Sequence, residues 1–146
     1  MLEKYSDVFV SLDYKYYKFT SNGVNGSITK VVRYYDLDLE NYYNLGFGDQ
    51  DPITGDLDDL AISNNGDSEK VLATVAMTLF TFTSQYPDAK VYITGSTKAR
   101  TRLYRIAISR HLCSIEMDFM VEGLLSGQWQ RFRKDTPYEA FLITKI

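Results

Sequence analysis

The chain reads as an α+β fold: two helices packed on a curved, mostly antiparallel mixed sheet, in the order ββββ-α-β-α-βββ. Three observations predict it. Apolar and polar residues alternate with period two in both the first and the last third of the chain, the signature of half-buried strands. Between those thirds, two segments carry apolar residues at helical spacing. Asn-Gly and Ser-Gly pairs punctuate the strand-like runs where hairpin turns belong.

The elements follow in chain order. Residues 14–20 are tyrosine-rich, Asn22-Gly23 and Asn25-Gly26 tolerate positive φ, and residues 28–37 are again β-branched and aromatic, which predicts a hairpin. Tyr43, Leu45 and Phe47 alternate with Asn44, Gly46 and Gly48 in a third strand. The turn segment Asp51-Pro52-Ile53-Thr54-Gly55-Asp56 then leads to a fourth strand, in which Leu60 and Ile62 alternate with Asp59 and Ala61.

Residues 64–69, Asn-Asn-Gly-Asp-Ser-Glu, supply capping side chains and acids suited to a helix N-terminus. Leu72, Val75, Ala76, Leu79, Phe80 and Thr83 continue the helix to Gln85, where Tyr86-Pro87 ends it. A short strand over residues 90–94 follows, expected to lie parallel to the fourth strand or near it through a right-handed crossover. Gly95-Ser96-Thr97 opens the second helix, which runs to about Leu112. Ile115, Met117, Phe119 and Val121 predict a strand, Ser126-Gly127 a tight turn, residues 128–133 the return, and Phe141 and Ile143 the last strand.

At 146 residues the chain fits a single domain over 1–146 that buries about 68–70% of its unfolded surface. Cys113 is the single cysteine, so an internal disulfide and a thiolate metal cage are excluded, and it is expected to pack as a small hydrophobe. No secretory leader is recognisable, and no run approaches the ~18 apolar residues of a membrane span. A soluble, cytoplasmic protein without membrane attachment is the expectation, and no cofactor or metal is expected.

Net charge is −3, but the charges are segregated. Residues 34–69 hold Asp36, Asp38, Glu40, Asp49, Asp51, Asp56, Asp58, Asp59, Asp67 and Glu69 with no Lys or Arg; residues 89–115 hold Lys90, Lys98, Arg100, Arg102, Arg105 and Arg110 with no acid. Either the two segments neutralise each other or the basic one presents a positive field to a ligand.

The second helix is the first functional candidate. Ser96, Thr97, Lys98, Arg100, Arg102 and Arg105 gather at and just after a helix N-terminus, whose first N–H groups lack intrahelical acceptors and favour anions. A phosphate-bearing ligand or nucleic acid is the partner this chemistry suits. The glycine spacing of a P-loop or of a dinucleotide-binding turn is missing. The alternative is a capped amphipathic helix with a solvated basic face.

Three other stretches carry weaker signals. The acidic run over residues 49–59 offers oxygen ligands for a hard cation but departs from the calcium-loop pattern: Ile53 stands at a ligand position, Gly55 is one residue late, and the closing Glu is absent. A turn with an acidic rim is the expectation. His111, the lone histidine, with Tyr104 and Arg100 forms a candidate catalytic set for phosphodiester hydrolysis, set against a helix-capping histidine. Trp129, Arg131 and Arg133 are expected to share one strand face, a stacking surface for single-stranded nucleic acid or a charge-protected edge strand.

The strings Asn44-Leu45-Gly46-Phe47-Gly48-Asp49, Asn64-Asn65-Gly66-Asp67, Lys70-Val71-Leu72-Ala73-Thr74-Val75-Ala76, Gly95-Ser96-Thr97-Lys98-Ala99-Arg100-Thr101-Arg102-Leu103-Tyr104-Arg105 and Tyr138-Glu139-Ala140-Phe141-Leu142 resemble those of a family of small, uncharacterised bacterial proteins. The resemblance covers most of the chain. It implies a stand-alone bacterial domain of unknown function and supplies no activity. Two further classes stay open beside the binding module, namely a small toxin-like nuclease or hydrolase and a protein-interaction domain.

Overall fold

The computed structural model describes residues 3–58 and 64–146. Within them the strands are β1 (Phe9–Val10), β2 (Tyr16–Gly23), β3 (Gly26–Asp36), β4 (Tyr42–Gln50), β5 (Leu57–Asp58), β6 (Lys90–Ile93), β7 (Phe119–Leu125), β8 (Gln128–Arg131) and β9 (Ala140–Lys145). The helices are α1 (Ser68–Gln85), α2 (Lys98–Arg110) and the one-turn α3 (Leu112–Ile115). The strands are hydrogen-bonded in the order β1-β2-β3-β4-β6-β9-β7-β8, with β5 also on β4. Pairing is mostly antiparallel, and β4 with β6 is parallel. The fold is therefore the expected α+β class with a mixed sheet. The fourth strand expected over Leu60 and Ile62 lies outside the described residues.

The chain forms two compact units, residues 1–35 with 46–86 and residues 36–45 with 87–146. In the first, Tyr17, Phe19 and Ser21 of β2 and Lys30, Val32 and Tyr34 of β3 fall on one face by the register Tyr17↔Val32, Phe19↔Lys30. Helix α1 covers that face. Phe82 stacks on Tyr34 at 4.1 Å, Tyr17 meets Tyr34 edge-on at 5.8 Å, and Tyr34 shares a 2.9 Å hydrogen bond with Thr78. Since Thr78 donates its only hydroxyl proton to the Val75 carbonyl, Tyr34 is the donor.

A polar loop locks this unit. Asn65, 2% exposed, accepts from the Asn25 N–H at 2.7 Å and donates to the Ser21 hydroxyl and the Gly26 carbonyl, while Asp67 accepts from Tyr5 and Ser21. Those bonds divert the Asp67 carboxylate, so it makes no side-chain cap on α1 although it holds the N-cap position.

In the second unit Val91 and Ile93 of β6, Phe141 and Ile143 of β9, and Phe119 and Val121 of β7 share a buried face. Ser126 and Gly127 both take positive φ (51° and 78°), the conformation that closes a two-residue hairpin with the twist strands require. The strand expected to begin at Ile115 begins at Phe119 instead. Ile115 completes α3, and Met117 is 79% exposed in the turn that follows. Hydrogen bonds from Glu116 N to Leu112 O and from Asp118 N to Ile115 O give that stretch a helical pairing that alternation alone does not disclose.

Lys30 is 1% exposed and its Nζ lies 2.5 Å from Asp49 Oδ1, an ion pair inside the first unit. Asp49→Ala should lose roughly 3–5 kcal/mol in a urea titration, because an ammonium is left buried without its counter-charge. Lys30→Met with Asp49→Leu should recover most of that loss, and equal damage from both variants would refute the argument. The Tyr17 hydroxyl, fully buried, finds no hydrogen-bond partner among the described residues, and burial pushes its phenol well above the usual range. Tyr17→Phe should therefore raise stability by roughly 1–3 kcal/mol; a lower denaturation midpoint would reveal a partner for that hydroxyl.

Candidate functional site

The joint from β6 to α2 is built by two threonine side chains and a glycine. Thr97 takes an extended backbone (φ −135°, ψ 162°) and its hydroxyl accepts from the Arg100 N–H at 3.2 Å, a Thr N-cap. Thr101, 8% exposed, accepts from the Gly95 N–H at 3.0 Å and returns its proton to the Thr97 carbonyl. Gly95 has to be glycine, since a Cβ there would stand 2.5 Å from Thr101 N and 2.6 Å from Arg100 Cβ. With Arg100 and Thr101 satisfied, the Lys98 and Ala99 N–H groups remain without intrahelical acceptors.

Around this end the candidate residues separate into two groups. Ser96, Thr97, Lys98 and Arg102 are exposed, and Lys98 and Arg102 make no ion pair or side-chain hydrogen bond among the described residues. Arg100 and Arg105 are half-buried. The Arg100 guanidinium donates to Ser96 Oγ at 2.7 Å, and Arg105 reaches the Thr136 carbonyl at 3.5 Å, the limit of a hydrogen bond.

Two members of the acidic segment are answered elsewhere. Asp49 pairs with Lys30 and Asp56 with Arg33, both on β3. Burial pulls the Asp56 carboxyl up, but the Leu57 N–H and the Arg33 guanidinium together hold it below the usual carboxylate range. Sequence reading missed these partners because Lys30 and Arg33 lie just upstream of the acidic run. The available signal was the phase of β3, where Ile28, Lys30, Val32 and Tyr34 fall on one face and make Lys30 the charge among apolar neighbours. Residues 87–146 carry ten Lys and Arg against six Asp and Glu, a local excess that the chain's net −3 conceals.

The other stretches are put to structural use. Asp51 accepts the Ile53 and Thr54 N–H groups at 2.8 and 3.2 Å, an Asx turn that consumes its carboxylate. His111 is the C-cap of α2, and its imidazole makes no hydrogen bond or ion pair among the described residues. Arg100, Tyr104 and His111 span twelve residues of helix and cap, roughly 16 Å of axis. Cys113, expected to pack inside, is exposed on α3, since that single helical turn buries none of its residues.

On β8, Trp129 is 40% exposed and meets Tyr92 of β6 edge-on at 6.1 Å, while Arg131 pairs with Glu116 at 3.1 Å. Arg133 lies beyond the strand, which ends at Arg131, and so does not join that face. A depression of about 200 Å³ opens in the first unit between Lys4, Lys70 and Tyr5. Its floor is committed already: the Tyr5 hydroxyl donates to Asp67, and Lys70 lies over the Tyr5 ring at 4.2 Å.

Residues 1–146 match the model of a family described as a family of unknown function, DUF6934. No curated protein and no solved structure matches the chain.

Thr97→Ala removes the cap on α2 and should cost about 1 kcal/mol, within a range of ~0.5–2 kcal/mol, read as a lower thermal midpoint. An unchanged midpoint would mean that the Gly95–Thr101 bond alone holds the joint.

Proposed function

We propose that this chain, which belongs along its whole length to the family of unknown function DUF6934, is a binding module for a phosphate-bearing ligand or nucleic acid, taken up by α2. The observation that carries the reading is the state of Lys98 and Arg102: both are exposed, and neither meets an acid among the described residues. Strands β3 to β5 hold the Lys30–Asp49 and Arg33–Asp56 pairs within the first unit, which favours a basic helix left to an outside anion.

The chemistry is that of a helix N-terminus reinforced by cations. An anion oxygen placed at the N–H groups of Lys98 and Ala99 gains the helix dipole, the Lys98 ammonium supplies a point charge, and the Arg102 guanidinium can grip two oxygens of one phosphate. Ser96 and Thr97 add hydroxyl donors at the rim. Arg100, held against Ser96 Oγ, adds positive charge behind the site, and Arg105 extends the ridge one turn further. Recognition without turnover is the consistent reading, because among the described residues His111 has no oriented partner of the kind that a general base or nucleophile pair requires. A cytoplasmic setting accords with a single, exposed thiol.

The test is fluorescence anisotropy with a labelled single-stranded RNA, competed by pyrophosphate and by nucleotides. Lys98→Ala with Arg102→Ala should weaken binding about tenfold or more and lower the slope of log K against log salt by roughly 1.4, about 0.7 for each phosphate no longer neutralised. Unchanged affinity in the double variant removes the proposal. Cleavage of the RNA that disappears in His111→Ala would establish the nuclease reading in its place.

A further inference from the structure

Helix α2 buries little for its length. Of its thirteen residues only Thr101 and Ile108 are buried, whereas the eighteen-residue α1 buries six. At about 100° per residue, the face opposite Thr101 and Ile108 is a stripe of Ala99, Leu103, Ile106 and Arg110, at successive intervals of four, three and four. That is the spacing by which one helix receives another. Leu103 is 56% and Ile106 38% exposed. Arg102 and Lys98 line one margin of the stripe, Arg110 stands at its end, and the helix bears no acid.

We infer that this outer stripe docks an acidic amphipathic helix of a protein partner, with Leu103 and Ile106 as its apolar anchors and Lys98 and Arg102 as its charge selectors. Charge complementarity chooses the occupant. A bare nucleic acid gains little from covering Leu103 and Ile106, and the α2 stripe of a second copy would bring its own Lys98 and Arg102 against the same charges. A helix with Leu or Ile at matching intervals and Glu or Asp along its flank buries both anchors and meets the basic margin with opposite charge. Lys98 and Arg102 are shared with the phosphate reading, whereas Leu103 and Ile106 are not, so variants of these two apolar anchors test the inference separately from that reading.

The probe is a synthetic amphipathic helix of roughly 20 residues with Leu on one face and Glu on the other, beside a control peptide in which every Leu is Ser. The full chain should bind the Leu peptide and not the control, with affinity falling as salt rises. Leu103→Gln with Ile106→Gln, which removes the apolar anchors without adding charge, should cut that affinity about tenfold or more at unchanged helical circular dichroism and unchanged RNA binding. Equal binding of the Ser control reduces the surface to bare electrostatics and overturns the inference. So does full affinity in the double variant, and so does a chain whose sedimentation shows a dimer that the same variant dissolves, since a second copy is then the occupant.

Discussion

A lysine ammonium sealed inside the first unit can persist only with a carboxylate against it, and Asp49 at 2.5 Å is that carboxylate. The pairing is imposed by strand phase: the register Phe19↔Lys30 sets Lys30 on the same face as Tyr17, Val32 and Tyr34, against which α1 packs. Asp49 is therefore withdrawn from the acidic run that the sequence displays, and Asp56 is withdrawn by Arg33 in the same way. What looks in one dimension like an acidic block awaiting a basic helix is, in part, a set of charges already answered along β3.

That withdrawal is what gives α2 its interest. A helix whose inner face is only Thr101 and Ile108 contributes modestly to packing, and its entry is held instead by short polar bonds among Gly95, Thr97, Arg100 and Thr101. Its outer surface carries Lys98 and Arg102, which make no ion pair among the described residues, beside the exposed Leu103 and Ile106.

The elements with a complete local signature were legible. Helix α1 runs from Ser68 to Gln85, stopping just before Tyr86-Pro87, and the Ser126-Gly127 hairpin needs nothing beyond two residues that tolerate positive φ. Residues 112–118 were not, because Ile115 and Met117 fit period two and helical spacing alike, and hydrogen bonding chose the helical turn for the first and a turn for the second. Of the candidate site, the cluster from Ser96 to Arg105 could be read directly, since a cap and its following cations are local. The fate of His111, Cys113 and Trp129 could not, since each depends on what a neighbouring segment covers.

The sequence by itself determined the α+β class, the two main helices, the hairpins and the segregation of charge, all of which follow from periodicity and turn chemistry over a few residues. Only the tertiary structure decided which charges meet. Lys30 reaches Asp49 and Arg33 reaches Asp56 across strand pairings separated by 19 and 23 residues, and Trp129 finds Tyr92 across 37 residues of chain. Partner choice and the exposure of Lys98, Arg102, Leu103 and Ile106 are set by register and burial, which a one-dimensional pattern does not contain.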